Sequence, residues 1–228
     1  MQRVHSSGPR VSDAVLEALR AFDTATLYEA AGQVGAMAPE MRPLARGQRI
    51  AGPALTVACP PGDNLMLHAA VAGAAPGDVL VAQCHDSSYG VWGEVLMTAA
   101  QAHGVVGLVL DGAVRDVPAL REAGFPIFCR AISMRAAAKT RRGTLRLPVS
   151  CGGLLVWPGD LVVADDTGVV VLPVASVERI LERARARQQK EAALFTALRQ
   201  GRTTLELLGL QPVLDALNDQ DGRGGIDG

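Results

Sequence analysis

The stretch Trp92-Gly93-Glu94-Val95-Leu96-Met97-Thr98-Ala99-Ala100-Gln101-Ala102-His103-Gly104-Val105-Val106-Gly107-Leu108-Val109-Leu110-Asp111-Gly112-Ala113-Val114-Arg115-Asp116 decides the fold. Trp92 to His103 reads as a helix that Gly104 stops as a C-cap glycine does. Val105 to Leu110 reads as a strand, and Asp111 to Asp116 as the turn after it. A helix running away from Glu94 for about ten residues covers roughly 15 Å, and a six-residue strand returning covers roughly 20 Å. The spacing therefore brings Glu94, Arg115 and Asp116 to one open edge of a sheet.

Outward from this unit the alternation continues. Upstream, Ser12 to Gly35 has helical apolar spacing with a break at Asp23-Thr24, which predicts two short helices. Gln48 to Cys59 is strand-like and ends in the turn Pro60-Pro61-Gly62-Asp63; Asn64 to Gly73 is helical, and Val79 to Gln83 is a strand. Downstream come a short helix, Val117 to Ala123, and a strand, Pro126 to Ala131. Strand and helix alternating in this way mark an α/β domain. The later stretch changes character: Val149 to Val156, Asp160 to Ala164 and Val169 to Leu172 are close-set strands with Pro158-Gly159 and Asp165-Asp166-Thr167-Gly168 as turns. Ser176 to Gln200 predicts one amphipathic helix of about 25 residues, roughly 37 Å long, long enough to leave its own core and lie on a neighbouring subunit. The expected organisation is a single main domain over 1–175, a helical extension over 176–217 and a disordered Gly- and Asp-rich tail over 218–228.

Composition narrows the function classes. The 228 residues are 49% apolar with a net charge of -1, enough for a sizeable core and too little charge to hold a phosphate backbone. Only two Trp and two Tyr are available for base stacking, so nucleic acid is not an expected partner. No apolar run approaches the roughly 20 residues of a membrane span, and the start is not a signal peptide, which predicts a cytoplasmic protein. Cys59, Cys84, Cys129 and Cys151 are widely separated, without the spacing of a zinc or dithiol motif.

The edge carrying Glu94, Arg115 and Asp116 combines two carboxylates, one guanidinium and a helix N-terminus whose free N–H groups favour an anion. Gly93 would let a ligand approach the backbone, and Gly112 would permit the turn that delivers Arg115. An ordinary account stands beside the functional one: Asp116 caps the helix at Val117-Pro118, Glu94 complements a helix dipole, and Arg115 pairs with either. Spacing alone does not choose between them.

The chain resembles the superfamily of the 4-hydroxy-4-methyl-2-oxoglutarate and 4-carboxy-4-hydroxy-2-oxoadipate aldolases and the RraA-type regulators of ribonuclease E. The resemblance rests on an acidic residue followed, after twenty intervening residues, by Arg-Asp, here Glu94 and Arg115-Asp116. It extends through Gly62-Asp63-Asn64-Leu65-Met66, Pro76-Gly77-Asp78-Val79-Leu80, Gly124-Phe125-Pro126-Ile127-Phe128 and Pro158-Gly159-Asp160, across roughly Leu19 to Leu208. It implies an RraA-like swivelling β/β/α domain, an α/β/β sandwich, assembled as a homotrimer or homohexamer with sites between subunits. It further implies a metal-dependent pyruvate aldolase with oxaloacetate decarboxylase activity. Asp116 would bind Mg2+ or Mn2+ directly, Glu94 would hold metal-bound water, and Arg115 would stabilise pyruvate enolate. The backbone of Gly93, Glu94, Val95 and Leu96 would take the pyruvyl carboxylate of a small oxo-acid substrate. Glu191 resembles an acid that such proteins donate from an adjacent subunit. The competing expectation is a regulator that binds a ribonuclease; those relatives lack the Asp beside the Arg turn, whereas Asp116 is present here.

Other residues carry weaker signals. A Schiff-base route needs a desolvated lysine; the chain has only Lys139, in the basic run Lys139-Thr140-Arg141-Arg142, and Lys190, on an exposed-looking helix. Both are expected to be solvated, which favours a metal route. Arg141 and Arg142 are candidates for distal carboxylates, with a solvated loop as the plainer account. Cys84-His85-Asp86 and Asp165-Asp166 are expected to be structural, and His68 a core histidine.

Overall fold

The computed structural model describes residues 11–222 in backbone and 11–218 in side chain. Its elements are α1 (Asp13–Arg20), α2 (Thr24–Ala30), β1 (Arg42–Pro43), β2 (Ile50–Ala58), α3 (Leu65–Ala72), β3 (Val79–Gln83), β4 (Gly90–Trp92) and α4 (Glu94–Ala102). There follow β5 (Gly107–Val114), α5 (Val117–Glu122), β6 (Ile127–Ile132), β7 (Thr144–Leu145), β8 (Val149–Cys151), β9 (Leu154–Val156), β10 (Leu161–Asp165) and β11 (Gly168–Leu172). The chain ends in α6 (Val177–Arg199), α7 (Thr204–Leu207) and α8 (Gln211–Gly222). Contacts divide it into two compact units, the first ending at Ala184 and the second running from Arg185.

In the first unit, β2, β3, β5 and β6 lie side by side and parallel, with Leu80 opposite Leu108 and Leu108 opposite Ile127. The strands are mostly apolar on both sides, broken only by Thr56, Gln83, Asp111 and Arg130, because both faces are covered. Leu80, Ala82, Leu108 and Leu110 pack into one core with Leu67, Leu96 and Leu120 of α3, α4 and α5. Their neighbours Val79, Val81 and Val109 point the other way, into a second core with Val149, Val156, Val162 and Val171 of the antiparallel strands. This is the helix, sheet and sheet layering expected. The sheet order is β1-β6-β5-β3-β2-β10-β11, and Arg42 of the first strand donates to the Thr167 carbonyl beside the last, so the sheet nearly closes. A third core joins α1 and α2 to β10, β11 and the start of α6 through Leu19, Leu27, Leu161, Leu172 and Ile180.

Four expectations are corrected. Trp92 does not start the helix: it is fully buried in β4, pairs with Val114 and stacks on Phe125 at 6.3 Å, so α4 begins at Glu94. Burying the large ring in the sheet is worth more than two further helical residues. Asp111 to Val114 is strand, not turn, because Ala113 and Val114 are buried and the Asp111 carboxylate is satisfied by Arg130 and the Gly152 N–H. Val149 to Val156 is two strands, split at Gly152-Gly153, both in the left-handed region. Of the tail expected to be disordered, residues from Asn218 to Gly222 continue α8; their propensity cost, under about 1 kcal/mol per residue, does not stop a helix already nucleated. The remainder, 223–228, lies outside the described residues.

Candidate active site

The site is built where β4 and β5 run out side by side. The Arg115 N–H donates to the Trp92 carbonyl at 2.8 Å, which lays the β5–α5 turn across the start of α4. That crossing leaves no space for a side chain at Gly90 or Gly93. A Cβ on Gly93 would lie 2.3 Å from Asp116 Oδ2, and one on Gly90 would lie 2.2 Å from the Ser133 carbonyl and 2.8 Å from Arg115 Cβ.

Asp116 separates the two accounts left open by the sequence. It stands at the N-cap of α5, yet its side chain makes no capping hydrogen bond there. The carboxylate turns back instead, and Oδ2 accepts the N–H of Glu94 at 3.2 Å, at the first turn of the nine-residue α4. To hold this direction the backbone adopts φ +54°, ψ +37°, a left-handed conformation that costs a residue other than glycine about 1–2 kcal/mol. A capping role would require neither the strain nor the reversal. Backbone strain of this kind collects at sites of function.

Arg115 Nε lies 3.6 Å from Asp116 Oδ2, with both side chains about 40% exposed. A pair at that distance and exposure contributes at most about 1 kcal/mol to stability. Among the described residues the terminal guanidinium nitrogens and Asp116 Oδ1 have no partner. Glu94 is exposed; its N–H serves Asp116, so the first-turn amides left for a ligand are those of Val95 and Leu96, the Met97 N–H already reaching the Gly93 carbonyl.

A cleft of about 120 Å³ opens beside Arg115 and Asp116, floored by Gly90, Gly93 and Leu96 and walled by Asn64, His68 and Lys139. Lys139 was expected to be solvated, and nothing in the sequence placed it relative to the site. It is exposed, but its segment is tied to the cleft by Asp63, which is fully buried and accepts the N–H groups of Leu65, Thr140 and Arg141 at 2.7–3.0 Å. Burial would raise the Asp63 pKa, but these donors outweigh it and hold the carboxyl below its ordinary value. Arg141 is spent on this junction, its side chain donating to the Pro61 carbonyl. His68 is half-buried, and burial first, then the charge of Lys139, lowers its pKa. Glu191 belongs to the second unit, where it pairs with Arg187 at 2.8 Å along α6.

Asn64, Gly90 and the placement of Lys139 escaped the sequence reading. Asn64 and Lys139 are far apart in the chain, and they are brought together by the Asp63 carboxylate and by the backbone bridge in which the Asn64 N–H donates to the Ala138 carbonyl at 2.9 Å. The remaining acids are structural: Asp165 accepts from Thr24 and Thr167, and Asp166 from the Gly47 N–H. Cys84 is fully buried, and its hydrogen bond with Cys59 and its burial push its thiol well up, which removes it as a nucleophile.

A curled parallel-and-antiparallel sheet that presents a strained aspartate and an arginine at a helix N-terminus defines an α/β protein with an anion-receiving edge. The chain belongs to the RraA-like family, Aldolase/RraA, whose profile matches residues 9–171. A Halalkalibacterium halodurans protein provisionally named a 4-hydroxy-4-methyl-2-oxoglutarate aldolase is 36% identical over 180 residues, covering 78% of this chain and 86% of that one. Among solved structures, an uncharacterised protein from Pseudomonas syringae pv. tomato superposes with TM-score 0.74 at 28% identity, covering 86% of this chain and 96% of its own. Streptomyces coelicolor RraAS2, described as an unusual member of the RNase ES inhibitor RraA family, superposes with TM-score 0.73 at 32% identity, covering 81% and 96%. No helix among the described residues is long and apolar enough to cross a membrane.

Proposed function

We propose that the chain is a divalent-cation-dependent carbon–carbon lyase that cleaves 4-hydroxy-2-oxo acids to pyruvate and a second oxo acid, and decarboxylates oxaloacetate through the same pyruvate enolate. The observation that carries the reading is the reversal of Asp116, whose strained backbone takes its carboxylate off its own helix and onto α4 beside Arg115. The name of the relative from H. halodurans points to the same chemistry with 4-hydroxy-4-methyl-2-oxoglutarate as substrate; 4-carboxy-4-hydroxy-2-oxoadipate is a candidate through the family resemblance alone.

The donor set suits Mg2+ or Mn2+. No group of three His, Cys, Asp or Glu suited to a metal occurs among the described residues, and Asp116 offers one hard oxygen. An ion held by so few protein atoms keeps most of its other positions for water and substrate, as Mg2+ does. Asp116 would hold it directly and Glu94 through water, with Glu191 of another copy of the chain as a further water-held acid in a homotrimer or homohexamer. When bound, the ion supplies Lewis-acid polarisation of the 2-oxo group.

The remaining work falls to the protein. The Val95 and Leu96 N–H groups and the α4 dipole receive the substrate carboxylate. Arg115 places its free guanidinium nitrogens where negative charge grows as the enolate forms. Lys139 adds a second cation on the cleft wall, exposed and therefore suited to binding an anion rather than to forming a Schiff base.

Pyruvate release from oxaloacetate and from 4-carboxy-4-hydroxy-2-oxoadipate, with Mg2+ and then with chelator, tests the reading. Activity that survives full chelation would sink the metal mechanism. Absence of release from either substrate favours the second reading, a binding protein like the inhibitor family to which RraAS2 is assigned.

A further inference from the structure

The cleft wall opposite Arg115 holds two buried polar atoms that the reaction described so far leaves idle. Asn64 Oδ1 and His68 Nε2 are both buried without a hydrogen-bond partner. Leaving such atoms unpaired costs about 1–3 kcal/mol each, so a pair of them in one place calls for an explanation. The two residues are four apart across the start of α3, which sets them on one helical face, and both line the cleft with Arg115, Asp116 and Lys139. The Asn64 amide cannot turn over, because its Nδ2 donates to the Val91 carbonyl at 2.8 Å. Oδ1 is therefore an acceptor in search of a donor.

A neutral histidine with its proton on Nε2 is the donor that one turn of helix sets on the same face as that acceptor, and the lone pair then sits on Nδ1. This is the pattern of a base whose second nitrogen is held by an orienting acceptor. The surroundings of His68 favour the neutral ring: burial first and then Lys139 disfavour a proton on it, Arg115 and Asp116 line the same cleft, Asp63 at the start of α3 is taken up by backbone N–H groups, and α3 itself carries no other charge.

We propose that His68, oriented by Asn64, is the catalytic group that takes the hydroxyl proton of the 4-hydroxy-2-oxo acid. This rests on the lyase reading above. In the step, His68 Nδ1 accepts the proton of the C4 hydroxyl and the C4–O bond becomes a carbonyl. The C3–C4 bond breaks, and its electron pair enters the pyruvate enolate beside Arg115. The proton held by His68 then passes to C3 of the enolate, giving pyruvate and restoring the neutral ring. Oxaloacetate has no such hydroxyl, so its decarboxylation reaches the same enolate without this first transfer.

The test is the ratio of the two activities in His68→Gln with Mg2+ present. Positioned proton transfer contributes about 10²–10⁴-fold, so retro-aldol kcat should fall at least about 30-fold further than decarboxylation. The wild-type retro-aldol profile should lose rate below the ordinary histidine pKa of about 6.5, and this limb should vanish in His68→Gln. Asn64→Ser, which removes the acceptor for the charged ring, should lower the same ratio by a smaller factor and move the limb to lower pH. Equal losses in both activities, or no loss in either, overturn the assignment while leaving the lyase intact. A wild-type protein inactive on both substrates overturns the lyase reading and this inference with it.

Discussion

Asp63 and Asp116 stand at the starts of α3 and α5 and use their carboxylates in opposite ways. Asp63 is fully buried, accepts three backbone N–H groups and the Thr140 hydroxyl, and knits the 136–141 segment to α3. Asp116 is two-fifths exposed, accepts one N–H from a different helix, and holds its backbone in the left-handed region to do so. The first arrangement satisfies a charge completely and yields stability. The second leaves an oxygen and a neighbouring guanidinium unpartnered, which is poor for stability and good for binding. The difference shows that Asp116 is marked by incomplete satisfaction, not by burial.

The sharpest break of the comparison is Asp116→Asn. It keeps the shape and loses the charge, so pyruvate release should drop by about 10³-fold or more, the scale of removing a preorganised electrostatic group. Denaturation should show a stability change under about 1 kcal/mol, because only an exposed pair and one dipole contact are lost. Asp63→Ala should reverse the pattern. It strands the N–H groups of Leu65, Thr140 and Arg141, and a loss of about 2–4 kcal/mol is expected in urea denaturation.

Much of this edge was legible beforehand, and the reason is local. The helix from Glu94 and the strand returning to Arg115 are adjacent in sequence, so their lengths alone brought the trio together. The direction of the Asp116 side chain was not legible, because cap and site use the same residue at the same position and differ only in a backbone torsion. Trp92 misled for a different reason: its burial against Val114 and Phe125 is a tertiary gain that helical spacing does not register. Lys139 was read correctly as exposed, but its place beside the cleft was not legible, since the tie through Asp63 spans more than seventy residues of chain.

A smaller effect extends the comparison to pH. Asp63, Asp111 and Asp165 all hold pKa values below the ordinary carboxyl range because hydrogen bonds outweigh their burial. A depressed folded-state pKa gives stability that is fully present above the unfolded value of about 3.9 and is lost as pH falls through the lower folded values. Melting temperature should therefore hold down to about pH 4 and fall steeply below it. Asp63→Asn should flatten that fall; a fall as steep as in the unmodified protein would remove Asp63 from the carboxylates that set it.

The smallest effect concerns Lys139, which belongs to both sides of the comparison: the Asp63 junction places it, and the cleft uses it. Lys139→Met keeps the length of the side chain and removes the charge. An exposed charge facing an anionic substrate is worth up to about 1 kcal/mol, so KM should rise by no more than about fivefold, with kcat changed less. The rise should shrink at high salt, where an exposed charge is screened. The same substitution removes one of the two causes that lower the His68 pKa, so that pKa should move upward, measurable from the histidine ring proton resonances. Burial remains as the larger cause, and the shift should therefore be partial. If His68 is the base, the acid limb of the retro-aldol profile follows it upward, and the binding effect and the proton-transfer effect of one lysine separate into KM and pH.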